Sequence, residues 1–270
     1  MDKIIALITI ALLGIGLIIY IINSRNKKKV LKEKLHQAFP SSWKTILNQK
    51  VLFYSKLNDT EKAIFERRIQ LFLATKKVEG VDTDIDDSIR IMVASSAIIP
   101  TFAFPNYNYP NVETVLIYPN SFDEDFQTQR FEGHNEVIVG MVGNRFQNGV
   151  VILSKPDLIM AYDGFAHKSN VGVHEFVHLL DKEDGAVDGI PELLLSHAYV
   201  APWLKEIKTE IKKIESGKSD ISPYALTNNA EFLAVVSEYF FDNPEKFKTR
   251  HPELYGFLSS IFNLDKNTKQ

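Results

Sequence analysis

The stretch His174–His178 (His-Glu-Phe-Val-His) constrains the fold of this 270-residue chain more than any other feature. Two histidines four positions apart lie on one face of a helix, about 6 Å apart along its axis. Their imidazole nitrogens can then bind one zinc ion at about 2.0–2.1 Å each. No proline or glycine interrupts Val173 to Glu183, and apolar residues surround the two histidines. The pattern therefore predicts a buried helix with His174 and His178 as metal ligands.

Glu175 follows the first histidine and lies one position further round the predicted helix. A carboxylate at this position can accept a proton from a water molecule bound to the metal, as a general base does. The competing interpretation is a chance pair of histidines on a partly buried helix, because the chain contains seven histidines. A third metal ligand elsewhere in the chain would favour the catalytic interpretation.

The third ligand must lie outside the motif helix, because catalytic zinc has three protein ligands and an open position for water. His197 is a candidate by residue type. Glu231 and Glu238 are better placed, since they lie seven residues apart on one face of a predicted helix. Small and apolar neighbours would bury Glu231, and a buried carboxylate needs a compensating charge such as zinc. For Glu238, a role beside the ligands and a surface salt bridge are equally good interpretations. Surface or supporting positions are expected for His134, His167, His197 and His251, because none of them has a partner at a ligand spacing.

The run Ile4 to Ile22 contains nineteen uncharged, mostly aliphatic residues. As a helix it is about 30 Å long, which is enough to cross a bilayer. A secretory signal would be shorter and end in a cleavage site, and a surface helix would have a polar stripe. Six Lys or Arg lie between positions 25 and 34, against Lys3 before the run. This asymmetry predicts a single-pass membrane protein with the remainder of the chain on the cytoplasmic side.

Charge is distributed unevenly along the chain. Residues 1–34 carry a net charge of +5, which leaves −8 on residues 35–270 because the whole chain carries −3. An acidic body without a basic stripe argues against nucleic-acid binding, whereas the basic segment suits anionic lipid head groups. The lack of cysteine fits a reducing compartment.

The body of the chain predicts helices, then a small sheet, then helices again, which is an α+β layout. Val150 to Ser154 has two interpretations. It is either an edge strand beside the motif helix, to which a substrate peptide adds through main-chain hydrogen bonds, or an ordinary core strand. Helices are predicted at 59–80, 84–96, 192–216, 228–242 and 244–262, and strands at 114–118, 137–142 and 150–154.

Three segments together resemble the Mlc titration factor A family of bacterial zinc metallopeptidases, whose catalytic core is similar to the lethal-factor type of gluzincin. The segments are 174–178, 181–191 and 224–241, and the resemblance extends from about Trp43 to Phe262. It implies that His174, His178 and Glu231 bind zinc and that Glu175 is the general base. It further implies that the hydroxyl of Tyr224 stabilises the oxyanion; position alone favours a tyrosine packed on its loop. Asp181 either holds a histidine tautomer or caps the helix.

The resemblance implies peptidase activity of an aminopeptidase kind and, in some members, binding of a transcriptional repressor of sugar uptake in the cytosol. The best-known members are soluble, so the run Ile4 to Ile22 sets this chain apart. We therefore predict a membrane anchor with a basic flank at residues 1–29. A gluzincin-type zinc peptidase domain with a small mixed sheet and surrounding helices follows at 30–265, with a peptide or protein as substrate. The alternative is a membrane-tethered binding protein that captures a transcriptional regulator, with hydrolysis incidental.

Overall fold

The N-terminal part of the chain is one long helix. The computed structural model describes residues 2–121, 140–142, 149–164, 169–192, 194–195 and 197–263, without the side chains of residues 2–12, 27 and 140–142. The chain divides into two compact units, Met1–Phe39 and Pro40–Gln270. Helix α1 (Asp2–His36) fills the first unit and continues across the predicted domain boundary at residue 29.

The membrane span expected at Ile4 to Ile22 concerns the first half of α1. Among the residues with described side chains, no helix has both the length and the apolar character that a bilayer crossing requires. Residues 4–12 of the expected span lie outside that described part. The large apolar side chains from Leu13 to Ile22 are 40–71% exposed. The anchor therefore stays a prediction.

The second unit begins with four helices: α2 (Ser41–Lys50), α3 (Leu52–Ser55), α4 (Asp59–Thr75) and α5 (Asp87–Ile98). Asn58 and Glu61 form a capping box that fixes the start of α4, as the polar residues there predict. The expected continuation of this helix to Gly80 is wrong. The chain leaves the helix after Thr75 because residues 77–80 pair with a strand much later in the sequence.

The sheet has four strands: β1 (Lys77–Gly80), β2 (Thr114–Tyr118), β3 (Gly140–Val142) and β4 (Val150–Ser154). Their order is β1-β2-β4-β3, with β1, β2 and β4 parallel and β3 antiparallel to β4. The sheet is therefore small and mixed, as predicted. β4 pairs on both sides and its middle three residues are fully buried, so the core interpretation of this strand holds. The edge beyond it belongs to β3; residues 137–139 of the predicted strand lie outside the described part.

Helices follow the sheet, which confirms the α+β layout. The expected helix over 244–262 is divided at His251, because the residue before a proline is disfavoured in the helical conformation and Pro252 follows. The expected helix from residue 192 begins at His197. The helices are α6 (Lys155–Ala161), α7 (Val171–Asp181), α8 (His197–Glu215), α9 (Asn229–Asp242), α10 (Pro244–Arg250) and α11 (Pro252–Ile261), with 3-10 turns at Lys182–Asp184 and Pro223–Leu226.

The motif helix α7 is the centre of the core. It packs against α5 and α9 and lies beside β3 and β4. Gly172 allows the approach to α5, because a β-carbon there would lie 2.1 Å from the Ser96 hydroxyl oxygen. On another face, the Phe176 ring contacts the rings of Phe72 and Tyr109. Because these apolar faces of α7 are buried against other elements, the face that carries the two histidines points towards α9.

Candidate metal centre

His174 and His178 lie side by side on α7. The helix begins at Asn170, whose side-chain oxygen accepts a hydrogen bond from the backbone N–H of Val173 at 3.1 Å. This cap places the two histidines on the second and third turns, with a distance of 3.0 Å between their Nε2 atoms. Both nitrogens face the start of α9. The pattern of spacing and capping in the sequence thus produces the expected pair of adjacent imidazoles.

Glu231 lies in the first turn of α9 and faces both histidines. The side chain of Asn228 caps this helix by accepting a hydrogen bond from the backbone N–H of Glu231 at 2.9 Å. One carboxylate oxygen of Glu231 lies 2.9 Å from Nε2 of His174, and the other lies 3.4 Å from Nε2 of His178. The structure thus brings the three predicted ligands together, with their donor atoms within 4.8 Å of one another.

The spacing of these donors fits a zinc ion. A tetrahedral ion with bonds of about 2.0–2.1 Å holds its ligand atoms about 3.3–3.4 Å apart. The observed separations of 2.9, 3.0 and 3.4 Å are close to that edge length. Two imidazoles with one carboxylate are also a donor set used at catalytic zinc. The group can therefore hold a metal ion of this kind.

The protonation states in the cluster are coupled. Burial alone would raise the pKa of Glu231, but its hydrogen bonds to His174 and His178 outweigh this effect and lower the pKa to about 2. Burial would lower the pKa of His174, but its bonds to Glu231 and Glu238 raise that pKa well above the ordinary value. Glu231 is consequently ionised at neutral pH.

Glu238 contacts the Nδ1 side of the His174 ring, opposite to Nε2. Its Oε1 lies 2.6 Å from Nδ1 of His174, and its Oε2 accepts a hydrogen bond from the backbone N–H of Asn170. A carboxylate at Nδ1 keeps the proton on that nitrogen and leaves Nε2 free to bind metal. Glu238 is 4% exposed, so the surface salt bridge interpretation is wrong and the role beside the ligands is the better one.

Glu175 is buried on α7 and is not one of the three grouped donors. Burial raises its pKa, against the opposing effect of the two neighbouring histidines. A raised pKa lies closer to neutral pH, and a group that accepts and returns protons works best when its pKa is near the operating pH. The position and environment of Glu175 are compatible with the role of base.

Tyr224 lies beside the cluster, in the 3-10 turn Pro223–Leu226. Its ring centroid is 6.1 Å from that of His174, and 56% of the residue is exposed. The hydroxyl of Ser222 accepts a hydrogen bond from the backbone N–H of Tyr224 at 3.4 Å and caps the turn. The turn itself packs against the start of α9. The structure therefore places this phenol next to a predicted ligand, on the solvent side.

The other candidates have different places. His197 begins α8, is exposed and does not join the group of donors found in the described residues. Asp181 is buried and accepts a hydrogen bond from the backbone N–H of Gly189 at 2.8 Å, so it joins the end of α7 to the following loop. Within the described residues, Nδ1 of His178 and Oδ1 of Asp181 are buried without a hydrogen-bond partner. His134 and His167 lie outside these residues.

Sequence reasoning missed Asn170. Its backbone N–H binds Glu238 while its side chain caps α7, so it connects the start of the motif helix to the carboxylate that supports His174. An asparagine directly before an apolar helical segment is a common N-cap signal. That signal was available in the sequence.

Comparisons with known proteins agree with this geometry. The family described as glucose-regulated metallo-peptidase M90 matches residues 22–263. An uncharacterized protein of Synechocystis sp. is 30% identical over 244 residues, which cover 87% of this chain and 88% of the relative. Mlc titration factor A of Cronobacter sakazakii is 31% identical over 239 residues, covering 84% and 87%. Mlc titration factor A of Escherichia coli is 29% identical over 249 residues, covering 87% and 90%.

The family match contains the whole donor group on α7 and α9, together with the 3-10 turn between α8 and α9. The relatives named Mlc titration factor A confirm the resemblance that the three sequence segments predict. The chain belongs to the glucose-regulated metallo-peptidase M90 family.

Proposed function

We propose that the chain is a zinc-dependent peptidase that acts on peptides in the manner of an aminopeptidase. The observation that carries this proposal is the convergence of His174, His178 and Glu231 with a separate buried carboxylate, Glu175, on the same helix. Metal binding for its own sake does not require the extra carboxylate. A hydrolase does require it, because a group must accept the proton of the attacking water.

His174, His178 and Glu231 would hold the zinc ion, which when bound would act as a Lewis acid on the scissile carbonyl and lower the pKa of the attacking water. Glu175 accepts the proton of the attacking water and passes it to the leaving amine. The hydroxyl of Tyr224 donates a hydrogen bond to the oxyanion of the tetrahedral intermediate. Glu238 keeps the proton on Nδ1 of His174.

The test is Glu175→Gln in the full-length protein. The variant should retain about one equivalent of zinc and lose about 10²–10⁴-fold in peptidase rate on a peptide library, since removal of a general base costs this much. Glu245→Gln, an exposed acid at the start of α10, is the matched control. Full activity of Glu175→Gln would refute the mechanism. The cleavage pattern of the library also shows whether the enzyme prefers free N-termini.

A second candidate function is the capture of a transcriptional regulator. The observation that favours it is the name of two relatives, which are titration factors for a partner called Mlc. Capture and cleavage are separable with Glu175→Gln. If capture is the function, this variant retains the regulator in a pull-down as well as the unchanged protein does, and no peptide is cut by either form.

We further propose that α1 anchors the protein in the inner membrane, with the peptidase on the cytoplasmic side. The exposed apolar side chains from Leu13 to Ile22 and the cations between residues 25 and 34 support this. A reporter that works only in the cytosol should be active when it is fused after Gln270, and one that works only outside the membrane should be inactive there. External protease should leave the second unit intact in spheroplasts; digestion there would reverse the topology without affecting the metal site.

A further inference from the structure

A second buried cluster of charged side chains lies at the C-terminal end of the fold, around His251. Its Nδ1 is 3.2 Å from a carboxylate oxygen of Glu210, and its Nε2 is 2.9 Å from one of Asp220. His251 is 4% exposed and Glu210 is 1% exposed. Each ring nitrogen needs a proton to donate to a carboxylate, so this geometry is that of an imidazolium.

The backbone around His251 is fixed on both sides. Its N–H donates to the carbonyl of Phe247 at 2.8 Å, and its carbonyl accepts from the N–H of Tyr255 at 2.8 Å. The residue thus joins the end of α10 to the start of α11. Its ring also packs on that of Phe247, with centroids 5.4 Å apart. The imidazolium is therefore held firmly, and the groups bound to it acquire a fixed position.

Asp220 is the member of this cluster that leads to the metal site. It lies in the loop 216–222, which connects α8 to the 3-10 turn that carries Tyr224. Its second oxygen accepts hydrogen bonds from the Tyr239 hydroxyl at 2.9 Å and from Lys246 at 3.0 Å. Together with His251, these donors fix the loop four residues before Tyr224.

We infer that the His251 imidazolium is a positioning residue for Tyr224: by holding Asp220 it fixes the loop 216–222 and keeps the phenol beside His174. The inference rests on the proposed function, in which Tyr224 acts on the oxyanion. The chain of contacts runs from α8 through Glu210 to His251, then through Asp220 to the loop. Tyr224 lies four residues after Asp220 on the same connection, so the position of the loop sets the position of the turn that carries the phenol.

The balance of charge supports a cationic His251. Burial would lower its pKa, but the hydrogen bonds to Glu210 and Asp220 outweigh this effect and raise it. Loss of the proton would direct a lone pair at one of the two carboxylates. The titratable and charged groups around the cluster are Glu206, Glu210 and Lys213 of α8, Asp220 of the loop, Tyr239 of α9, Lys246 and Arg250 of α10, and Glu253 of α11.

The test compares His251→Gln and Asp220→Asn with His197→Gln, an exposed histidine replaced in the same way. Amide hydrogen exchange should become faster over residues 216–227 in the first two variants, with α7 unchanged and zinc content equal. This measurement does not depend on peptidase activity. Asp220 lies partly at the surface, with 24% of its side chain exposed, so Asp220→Asn carries the test if His251→Gln does not fold.

Kinetics give the second measurement. His251→Gln should lower kcat by about 10–100-fold, as a displacement of about 1 Å in a reacting group does, with KM little changed. In a Tyr224→Phe background the same substitution should cause no further loss, because the two changes remove one effect. A purely structural role for His251 would instead lower kcat by the same factor in both backgrounds.

Two results would overturn the inference: unchanged exchange over residues 216–227 in both variants, or additive losses in the double variant. Failure of the proposed function has a different signature. If the unchanged protein cleaves no peptide, or if Tyr224→Phe keeps full activity, the oxyanion role of Tyr224 is refuted. Hydrogen exchange then decides by itself whether His251 holds the loop.

Discussion

Replacement of Glu231 and Glu238 by glutamine, one at a time, should lower zinc affinity by clearly different amounts. Both carboxylates lie on α9 and both contact His174, but on opposite sides of its ring. Only Glu231 faces Nε2 of both histidines. A difference between two isosteric variants on one helix therefore separates a ligand from the residue that orients a ligand.

The magnitude for Glu231 follows from the total binding energy of a zinc site. Structural zinc is bound with about 10–16 kcal/mol through four ligands, so one ligand contributes roughly 2.5–4 kcal/mol. At 1.4 kcal/mol for each tenfold change, Glu231→Gln should weaken binding by about 10²–10³-fold. Glu231→Gln should cost the folded protein less stability than Glu238→Gln, because the side chain of Glu231 is 17% exposed and that of Glu238 is 5% exposed.

Glu238→Gln has a smaller effect on zinc and a larger one on stability. A glutamine can accept from only one of the two donors at this position, Nδ1 of His174 or the N–H of Asn170, and presents its NH₂ group to the other. The lost charge-assisted bond is worth about 1.5–3 kcal/mol. Part of this loss falls on the free protein, so we expect about 10–100-fold weaker zinc binding, as for other groups that orient metal-binding histidines.

The assay is a zinc competition titration against a chelator of known affinity, combined with urea unfolding of each variant. Glu245→Gln again serves as the control. The reverse ranking of the two zinc affinities would refute the assignment. It would also be refuted if His197→Ala removed the metal while Glu231→Gln retained it.

Three further variants test the fold that supports the site. In Gly189→Ala, at φ +78°, the new β-carbon would lie 2.3 Å from a backbone oxygen at the start of α9. Its free energy of unfolding in urea should fall by at least about 1–2 kcal/mol more than that of Gly185→Ala, where nothing lies within 4 Å of the new carbon. Gly172→Ala should cost about 1–3 kcal/mol, because the new carbon would lie 2.1–2.7 Å from the side-chain atoms of Ser96. The loss of unfolding free energy caused by His251→Gln should be largest below pH 6.5. A histidine whose pKa is raised in the folded state stabilises the protein below its unfolded pKa of about 6.5, and this gain disappears as pH rises through the folded pKa. A pH-independent difference between the two proteins would contradict this.

The predictable parts of the fold depend on local sequence. The motif helix is predictable because its capping residue, its apolar neighbours and its two histidines lie within a dozen positions. Glu231 is predictable as a ligand only because it shares a helical face with Glu238 and has small apolar neighbours. His174 and Glu231 are 57 positions apart, and nothing in the intervening sequence signals their 2.9 Å contact. That contact depends on the packing of α7 against α9.

Features that depend on distant partners were not predictable. Residues 77–80 form a strand because β2 offers them a parallel partner 37 positions later, and the four-residue segment has no strong pattern by itself. The interior place of β4 depends on β3, a strand of three residues. His251 has no neighbour in the sequence that indicates its burial. Its partners Glu210 and Asp220 are 41 and 31 positions away.

The contact between Glu238 and His174 has a consequence for the newly synthesised chain. The two residues are 64 positions apart, and a ribosome adding about 5–20 residues per second needs about 3–13 s to pass from one to the other. Until Glu231 is added, 57 positions after His174, the histidine pair exists without either of its carboxylate partners. The nascent protein can therefore assemble a complete metal site only after α9 has been made and has folded back onto α7. Synthesis itself thus delays the assembly of the donor group until most of the chain is complete.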